Sequence, residues 1–196
     1  MRRPVPWKQH SARHESLSTR SAVTAMVLDK AAIPYGTSTP RTTIYSLTCY
    51  EIFLYADNLN PTQFKRRAPE HQFIAKAYLP DHAIHFCRWS SQWRSGLASV
   101  SPSPGERVWG IIADVTDEDL KILDTFEDEV PPNAFRHVQV TVIKEDGEKE
   151  LVTTHIAAPI GKFKPKEHYL EWVIKGVTHW KLPEECLETW KSFMPK

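Results

Sequence analysis

Four acidic side chains lie close together at the end of a predicted helix, in the segment KILDTFEDEV: Asp124, Glu127, Asp128 and Glu129. A carboxyl group that is partly shielded from water can take up and release a proton near neutral pH, which is the chemistry of a general acid–base catalyst. In bulk water the same group is only a solvated surface charge. Acidic residues at the C-terminal end of a helix oppose the helix dipole, at a cost of about 0.3 kcal/mol each. Their position hints at a purpose beyond solubility, and Glu127 is the candidate proton carrier.

Histidine and cysteine side chains suggest two possible metal sites, and neither has the geometry that a metal needs. On a strand, His85 and Cys87 would face one side of the sheet while His82 would face the other. His10 and His14 have the spacing of one helical face, but they lie in a segment without amphipathic period. Since zinc requires three or four convergent ligands, we predict no metal site.

Motifs for nucleophilic or cofactor-dependent catalysis are not found. The sequence contains no GxSxG, no P-loop and no GxGxxG. Ser90, Ser91 and Ser95 surround Trp89 and Trp93, but nothing places a base beside them. We therefore predict no serine–histidine catalysis and no cofactor.

Composition limits the classes of partner. The 25 basic and 24 acidic residues give a net charge of +1, which offers no argument for binding nucleic acid or an anionic membrane. Cys49, Cys87 and Cys186 are far apart without a CxxC pair, which is typical of reduced thiols in a cytoplasmic protein. No apolar run reaches the roughly 18–20 residues of a membrane span. We expect a small-molecule substrate and a monomer or homodimer.

The first 48 residues differ in composition from the rest of the chain. Their beginning, MRRPVPWKQHSARHESLSTRSAV, is rich in Arg and Ser and poor in acids, which is also typical of transit peptides. A flexible tail and a true start near Met26 are the alternatives. We predict a flexible N-terminal extension over 1–48 and one folded domain over 49–196, long enough for a core of its own.

Short strands dominate the first two thirds of that domain. The predicted strands are YEIFLYA, QFIAKAYLP and HAIHFCRW joined by a Pro80–Asp81 turn, SGLASVSP, and RVWGIIADV after a turn at 103–106. FRHVQVTVI and ELVTTHIAA flank KEDGEK, and their alternation around Asp146–Gly147 predicts a β-hairpin.

Helices follow the strands. PTQFKRRAP is a predicted short helix or turn, and Thr116 with Asp119 resembles a capping box at the start of TDEDLKILDTFE. A third helix, beginning near Pro165, has an apolar stripe formed by Tyr169, Leu170, Val173, Ile174 and Val177. Pro183 opens a last helix, PEECLETWKSF. Many strands with few helices, mostly at the end, predict an α+β domain, a small barrel with helices outside.

Four segments in order resemble the gamma-glutamylcyclotransferase-like family. They are LYADNLNP, WRSGLASVSPSPGERVWGI, LDTFE and EHYLEWVIKGVTHWKLPEE, and they span about 50–190. The family's corresponding patterns are a Y-G-S-N-L loop, W-x-G-G-x-A followed by V-W-G, L-D-x-x-E, and Y-x-x-x-I-x-x-G-A with G-L-P. The resemblance implies a small mixed β-barrel with flanking helices.

The resemblance also implies a reaction and the residues that perform it. Family members release 5-oxoproline from a γ-glutamyl amine or peptide, with the glutamate of L-D-x-x-E as the acid–base residue, which corresponds to Glu127. The loop that binds the glutamyl group corresponds to Tyr55, Ala56, Asp57, Asn58 and Leu59. Trp93 and Tyr169 lie in the matched segments and are further candidates for substrate binding, with core packing as the alternative for each. No metal or cofactor is implied.

Several residues depart from the family pattern. Ala56 replaces a glycine, although alanine resists a positive φ. Asp57 replaces a serine, and its charge is expected to repel a substrate carboxylate. Asp128 replaces the glycine expected after the catalytic glutamate. Arg66 and Arg67 are interpreted as surface charges.

These departures leave three hypotheses open. In the first, Asp57 points away or binds the substrate ammonium, and the chain is a cyclotransferase with altered specificity. In the second, Asp57 and Glu127 form a carboxylate pair that performs a deacylation, cyclisation or dehydration on a natural product. In the third, the chain binds a ligand without turnover.

Overall fold

A computed structural model describes residues 19–25, 45–127 and 135–195, with side chains for 49–126 and 135–195. In chain order the elements are β1 (Thr19–Ala25), β2 (Tyr45–Leu54), a 3₁₀ turn (Ala56–Leu59), α1 (Pro61–Arg67), β3 (Gln72–Ser90), β4 (Ser95–Thr116), α2 (Asp117–Glu127), β5 (Phe135–Lys144), β6 (Lys149–Ala157), α3 (Glu167–His179) and α4 (Glu184–Ser192).

Strands β2 to β6 close into a barrel. The antiparallel order is β2, β4, β3, β5, β6, and β6 returns to β2 through a parallel pair between Ile52 and Thr153. Closure depends on short pairings, two residue pairs between β3 and β5 and one between β6 and β2. The prediction of an α+β domain built on a small mixed barrel with flanking helices is confirmed.

The long strands β3 and β4 correct the predicted breaks. The sequence predicts a turn at Pro80–Asp81 and another at 103–106, but both segments lie inside continuous strands that pair along most of their length. The register shifts between Pro80 and His82, where Asp81 adopts a φ of 55°. Asp81 Oδ1 accepts a hydrogen bond from the Gly105 backbone N–H at 2.9 Å. The two turn signals thus face each other as a bulge, which bends an antiparallel pair without ending it.

The start of α2 and the β5–β6 hairpin, both predicted from local sequence signals, are confirmed. The Asp119 backbone N–H donates to Thr116 Oγ1 at 3.1 Å, and the Thr116 N–H donates to Asp119 Oδ2 at 3.4 Å, so the predicted capping box opens α2. Gly147 adopts a φ of 87° in the turn between β5 and β6, as a tight hairpin requires.

Helix α3 packs against the loop that follows β2. Its predicted apolar stripe is buried, with Ile174 half-buried. A Cβ built on Gly176 would lie 2.4 Å from the carbonyl carbon of Leu59, so only glycine allows this close approach. The Asn60 side chain caps α1 through the Thr62 N–H and donates from Nδ2 to the Trp172 carbonyl at 3.1 Å. Helix α3 therefore holds the 3₁₀ turn in position.

Substituting Gly176→Ala tests the contact between α3 and the Leu59 backbone, because the sign of the change in stability shows whether the new methyl group has room. At an unobstructed helical position, replacing glycine by alanine stabilises the helix by about 1 kcal/mol. Here the new methyl group meets backbone, so we expect the free energy of unfolding in urea to fall by about 1–3 kcal/mol. Gly161→Ala is the control, because its Cβ would meet only the movable ring of Phe163, at 3.2 Å. A stabilised Gly176→Ala protein contradicts the packing.

The N-terminal part of the chain contributes one described strand. β1, which lies within the predicted extension 1–48, pairs antiparallel with β2. Residues 1–18 and 26–44 lie outside the described residues, so the predicted character of the extension remains a prediction. The described helices include none that is long and apolar enough to span a membrane. Cys49, Cys87 and Cys186 are free thiols.

Candidate active site

A cavity of about 280 Å³ lies where β2 ends and the 3₁₀ turn begins. Its walls come from the loop after β2, the turn between β3 and β4, helices α1 and α2, and the hairpin β5–β6. The lining residues are 53–58, Arg67, 89–93, Leu97, Ala98, Phe126, Phe135, Thr154 and His155.

The loop after β2, which the family resemblance predicts to bind substrate, forms one wall of the cavity. Tyr55, Ala56, Asp57 and Asn58 all line the cavity. The Tyr55 hydroxyl donates to the His155 carbonyl at 2.6 Å and ties the loop to β6. Ala56 has a φ of 64°, so the alanine adopts the left-handed conformation expected of the family's glycine. That conformation costs an alanine about 1–2 kcal/mol, which the buried surroundings of the loop must offset.

Asp57 is neutralised by a buried arginine. Its Oδ2 accepts hydrogen bonds from Gln63 Nε2 at 2.6 Å and from an Arg67 guanidinium nitrogen at 3.2 Å. The same Arg67 nitrogen donates to Asn58 Oδ1 at 2.7 Å, and the guanidinium lies 4.5 Å from the centroid of the Phe126 ring. The expected repulsion between Asp57 and a substrate carboxylate is therefore offset inside the protein.

The interpretation of Arg67 as a surface charge is wrong. Its side chain is only 4% exposed, whereas Arg66 is exposed as predicted. In α1 the residues Gln63, Phe64 and Arg67 share one buried face, since positions three and four apart are neighbours on a helix. That spacing is visible in PTQFKRR, but a basic run alone gave no reason to expect burial.

The end of α2 forms another wall. Phe126 lines the cavity, and Glu127 follows it as the last residue of the helix. The side chain of Glu127 lies outside the described residues, as do Asp128 and Glu129, so the catalytic assignment of Glu127 and its pairing with Asp57 remain predictions. Asp124 is three residues before Glu127, a spacing that puts both on one side of the helix.

Asp124 meets two histidines from the hairpin. Its Oδ1 lies 2.7 Å from His137 Nε2 and 2.8 Å from His155 Nε2, and the two nitrogens are 3.0 Å apart. Burial raises the pKa of the Asp124 carboxyl, but the two histidines outweigh it and hold the pKa well below its usual range. Among the described residues this is the one group of three potential metal ligands, whereas His82, His85 and Cys87 form none.

This cluster was missed in the sequence, although a signal for it exists. His137 and His155 are directly opposite each other in the β5–β6 pairing. The observed register follows from a three-residue turn over 145–147, whereas a two-residue Asp146–Gly147 turn would place His137 opposite Ile156. The hairpin signal thus puts the two histidines on neighbouring strands, but their exact pairing and the approach of Asp124 from a helix needed the three-dimensional structure.

The remaining predicted site residues divide into lining and supporting positions. Trp93 lines the cavity and packs edge-on against Tyr169, with ring centroids 5.5 Å apart. Tyr169 is fully buried behind it, and its hydroxyl accepts a hydrogen bond from the Ala98 N–H at 3.2 Å. Leu59 is also fully buried, and its carbonyl accepts from Trp180 Nε1 at 2.7 Å. Among the described residues neither Tyr169 nor Leu59 lines the cavity, so both support the loop from behind.

Comparisons with known proteins agree with this architecture. The model of the AIG2-like family matches residues 107–189. A human gamma-glutamylcyclotransferase is 26% identical over 147 residues, which cover 73% of this chain and 78% of the relative. The mouse gamma-glutamylcyclotransferase is 24% identical over the same length.

Solved structures show the same fold. A gamma-glutamyl cyclotransferase structure has a TM-score of 0.70 at 24% identity, covering 76% of this chain and 89% of the other. A human protein described as uncharacterised also gives a TM-score of 0.70, at 25% identity and the same coverage. In sequence and in fold the chain is therefore similar to the gamma-glutamylcyclotransferases.

Proposed function

We propose that the protein is an enzyme that releases 5-oxoproline from a γ-glutamyl amine or peptide. One observation carries the proposal: the loop 55–58 and the end of α2, the two places where the family keeps its substrate loop and its glutamate, border the same cavity. The curated relatives named gamma-glutamylcyclotransferase support the same reaction class.

The reaction needs one proton carrier. The α-amine of a γ-glutamyl group attacks its own γ-carbonyl and closes a five-membered lactam, while the bond to the departing amine breaks. Intramolecular attack gives effective molarities of roughly 10⁵–10⁸ M for well-oriented groups. Glu127 takes the proton lost by the attacking amine and returns it to the leaving amine, a contribution of about 10²–10⁴ in rate.

The loop after β2 provides the substrate's polar contacts. The first N–H groups of a helical turn have no partner within the turn, so the turn beginning at Ala56 can donate to a carboxylate or carbonyl oxygen of the glutamyl group. The guanidinium of Arg67 balances the charge of Asp57 beside that position. Trp93 supplies an apolar wall that reduces the water around the reacting atoms.

The Asp57–Arg67 pair favours this reaction over the alternative that uses an Asp57–Glu127 carboxylate pair. Asp57 Oδ2 already accepts hydrogen bonds from Gln63 and Arg67, so the protein itself supplies the partners of this carboxylate. Cytoplasmic location and a monomeric or homodimeric state remain predictions from the sequence.

A substrate panel tests the proposal. The full chain is incubated with γ-glutamyl dipeptides, glutathione, γ-glutamyl amines and Nε-γ-glutamyl-lysine, and 5-oxoproline is measured by mass spectrometry. We expect release from at least one class, with α-glutamyl dipeptides as the unreactive control. The absence of 5-oxoproline from every γ-glutamyl compound would contradict the proposal.

A further inference from the structure

The convergence of Asp124, His137 and His155 beside the cavity is not explained by the proposed reaction, which uses none of them. Three polar atoms from three different elements, α2, β5 and β6, meet within hydrogen-bonding distance of one another. We propose that these side chains, here named the Asp–His–His cluster, bind one divalent first-row transition-metal ion.

The hydrogen bonds possible among the three atoms conflict with one another. A neutral imidazole carries one N–H and one lone pair. If only one Nε2 carries hydrogen, the lone pair of the other faces the Asp124 oxygen at 2.7–2.8 Å. If both carry hydrogen, two N–H donors stand 3.0 Å apart and share a single oxygen atom. A cation at the centre accepts a lone pair from all three atoms and removes both conflicts.

The distances between the three atoms indicate the coordination geometry. With metal–ligand bonds of about 2.0–2.1 Å, neighbouring ligands of an octahedron lie about 2.9 Å apart, and those of a tetrahedron about 3.3 Å apart. The observed separations are 2.7, 2.8 and 3.0 Å. They match one triangular face of an octahedron, the arrangement of two histidines and one carboxylate that suits Mn²⁺, Fe²⁺, Co²⁺ or Ni²⁺.

The scaffold holds the ligands in this arrangement. His137 and His155 are direct cross-strand neighbours, a position in which Cβ atoms are about 4.5–5.5 Å apart. Their rings lie 4.6 Å apart at 71°, so both can direct Nε2 to one point without stacking. The backbone carbonyl of His155 accepts the Tyr55 hydroxyl, which connects this part of β6 to the substrate loop.

Access from solvent is compatible with reversible binding. The side chain of His155 is 10% exposed, that of His137 29% and that of Asp124 38%. An ion can therefore enter from the His137 and Asp124 side, and the remaining coordination positions are open to water. Imidazole nitrogen favours transition metals over Mg²⁺ or Ca²⁺, which prefer oxygen ligands.

Direct metal titration tests the inference. The full chain, prepared without an affinity tag and stripped with EDTA, is titrated with CoCl₂ while visible absorption and heat are recorded. We expect one Co²⁺ per chain with a visible ligand-field spectrum. A hundredfold excess of Co²⁺ over Kd is expected to raise Tm by about 5–10 °C.

Variants separate the cluster from other histidines. We expect His137→Gln and Asp124→Asn to weaken Co²⁺ binding at least about tenfold and to abolish the Tm shift. Both side chains are partly exposed, and metal-free Tm values show whether each variant is folded. His179→Gln is the control, because His179 is exposed on α3 and outside the cluster.

Three results overturn the inference: no Co²⁺ binding by the wild-type chain, equal binding by folded His137→Gln, or equal weakening by His179→Gln. Because the measurement is binding of the metal alone, it stands or fails independently of 5-oxoproline release.

Discussion

Replacing Glu127 with glutamine is expected to lower kcat for 5-oxoproline release by about 10²–10⁴-fold. Glutamine keeps the size and hydrogen-bonding capacity of the side chain but cannot accept and return a proton at neutral pH. Since the glutamyl group is proposed to be held by the loop 55–58, KM is expected to change much less than kcat. The measurement is a steady-state assay with the best substrate of the γ-glutamyl panel.

A matched control on the same helix makes this result specific. Glu118 is an exposed glutamate in the first turn of α2, far along the helix from Glu127. Glu118→Gln removes the same charge and is expected to retain wild-type kcat. If Glu127→Gln keeps the wild-type rate, the proton carrier lies elsewhere. If both variants lose activity together with Tm, the helix rather than the proton transfer is responsible.

The parts of the fold that the sequence predicted depend on local signals. The capping box at Thr116 and Asp119 needs only residues three apart, and the hairpin around Gly147 needs only a turn that favours positive φ. The apolar stripe of α3 is likewise a periodicity within one segment. Each of these patterns can be evaluated without knowing what packs against it.

The wrong predictions concern residues whose conformation or burial depends on a neighbouring strand or loop. Pro80–Asp81 and 103–106 have turn composition, but pairing of β3 with β4 on both sides makes them a bulge inside two long strands. Arg67 is basic, but its burial is decided by Asp57 and Asn58 from the preceding loop. A basic residue at a buried position is uncommon without such a partner, and the partner is not visible from α1 alone.

The candidate site likewise combines residues that local sequence patterns indicate with residues that only the packing brings together. The loop 55–58 and Trp93, which the family resemblance predicts to bind substrate, line the cavity, and their role in binding remains a prediction. The cluster of Asp124, His137 and His155 belongs to no motif. It arises from the hairpin register, which changes with a turn of two or three residues, combined with the packing of α2.

Substituting Arg67→Met is expected to lower the free energy of unfolding by about 3 kcal/mol. The variant leaves the Asp57 carboxylate, whose side chain is 17% exposed, without its guanidinium partner. Removing one member of a buried ion pair typically costs about 3–5 kcal/mol, and the partial exposure of Asp57 favours the lower end. Arg66→Met is the control on the neighbouring exposed residue, where we expect a change within about 0.5 kcal/mol. Urea denaturation measures both.

A double-mutant cycle decides whether the two charges form a unit. Asp57→Ser introduces the residue typical of the family loop but leaves Arg67, only 4% exposed, with its positive charge uncompensated by Asp57. Both single variants should therefore be destabilised, and the double variant Asp57→Ser/Arg67→Met should be more stable than the sum of the two losses predicts, by about 1–3 kcal/mol. Such coupling would explain why an aspartate is tolerated in a loop that we propose receives an anionic substrate. Additive losses would mean that a group other than Arg67 balances the charge of Asp57. Asp57 could then pair with Glu127, which would favour the alternative reaction that uses this carboxylate pair.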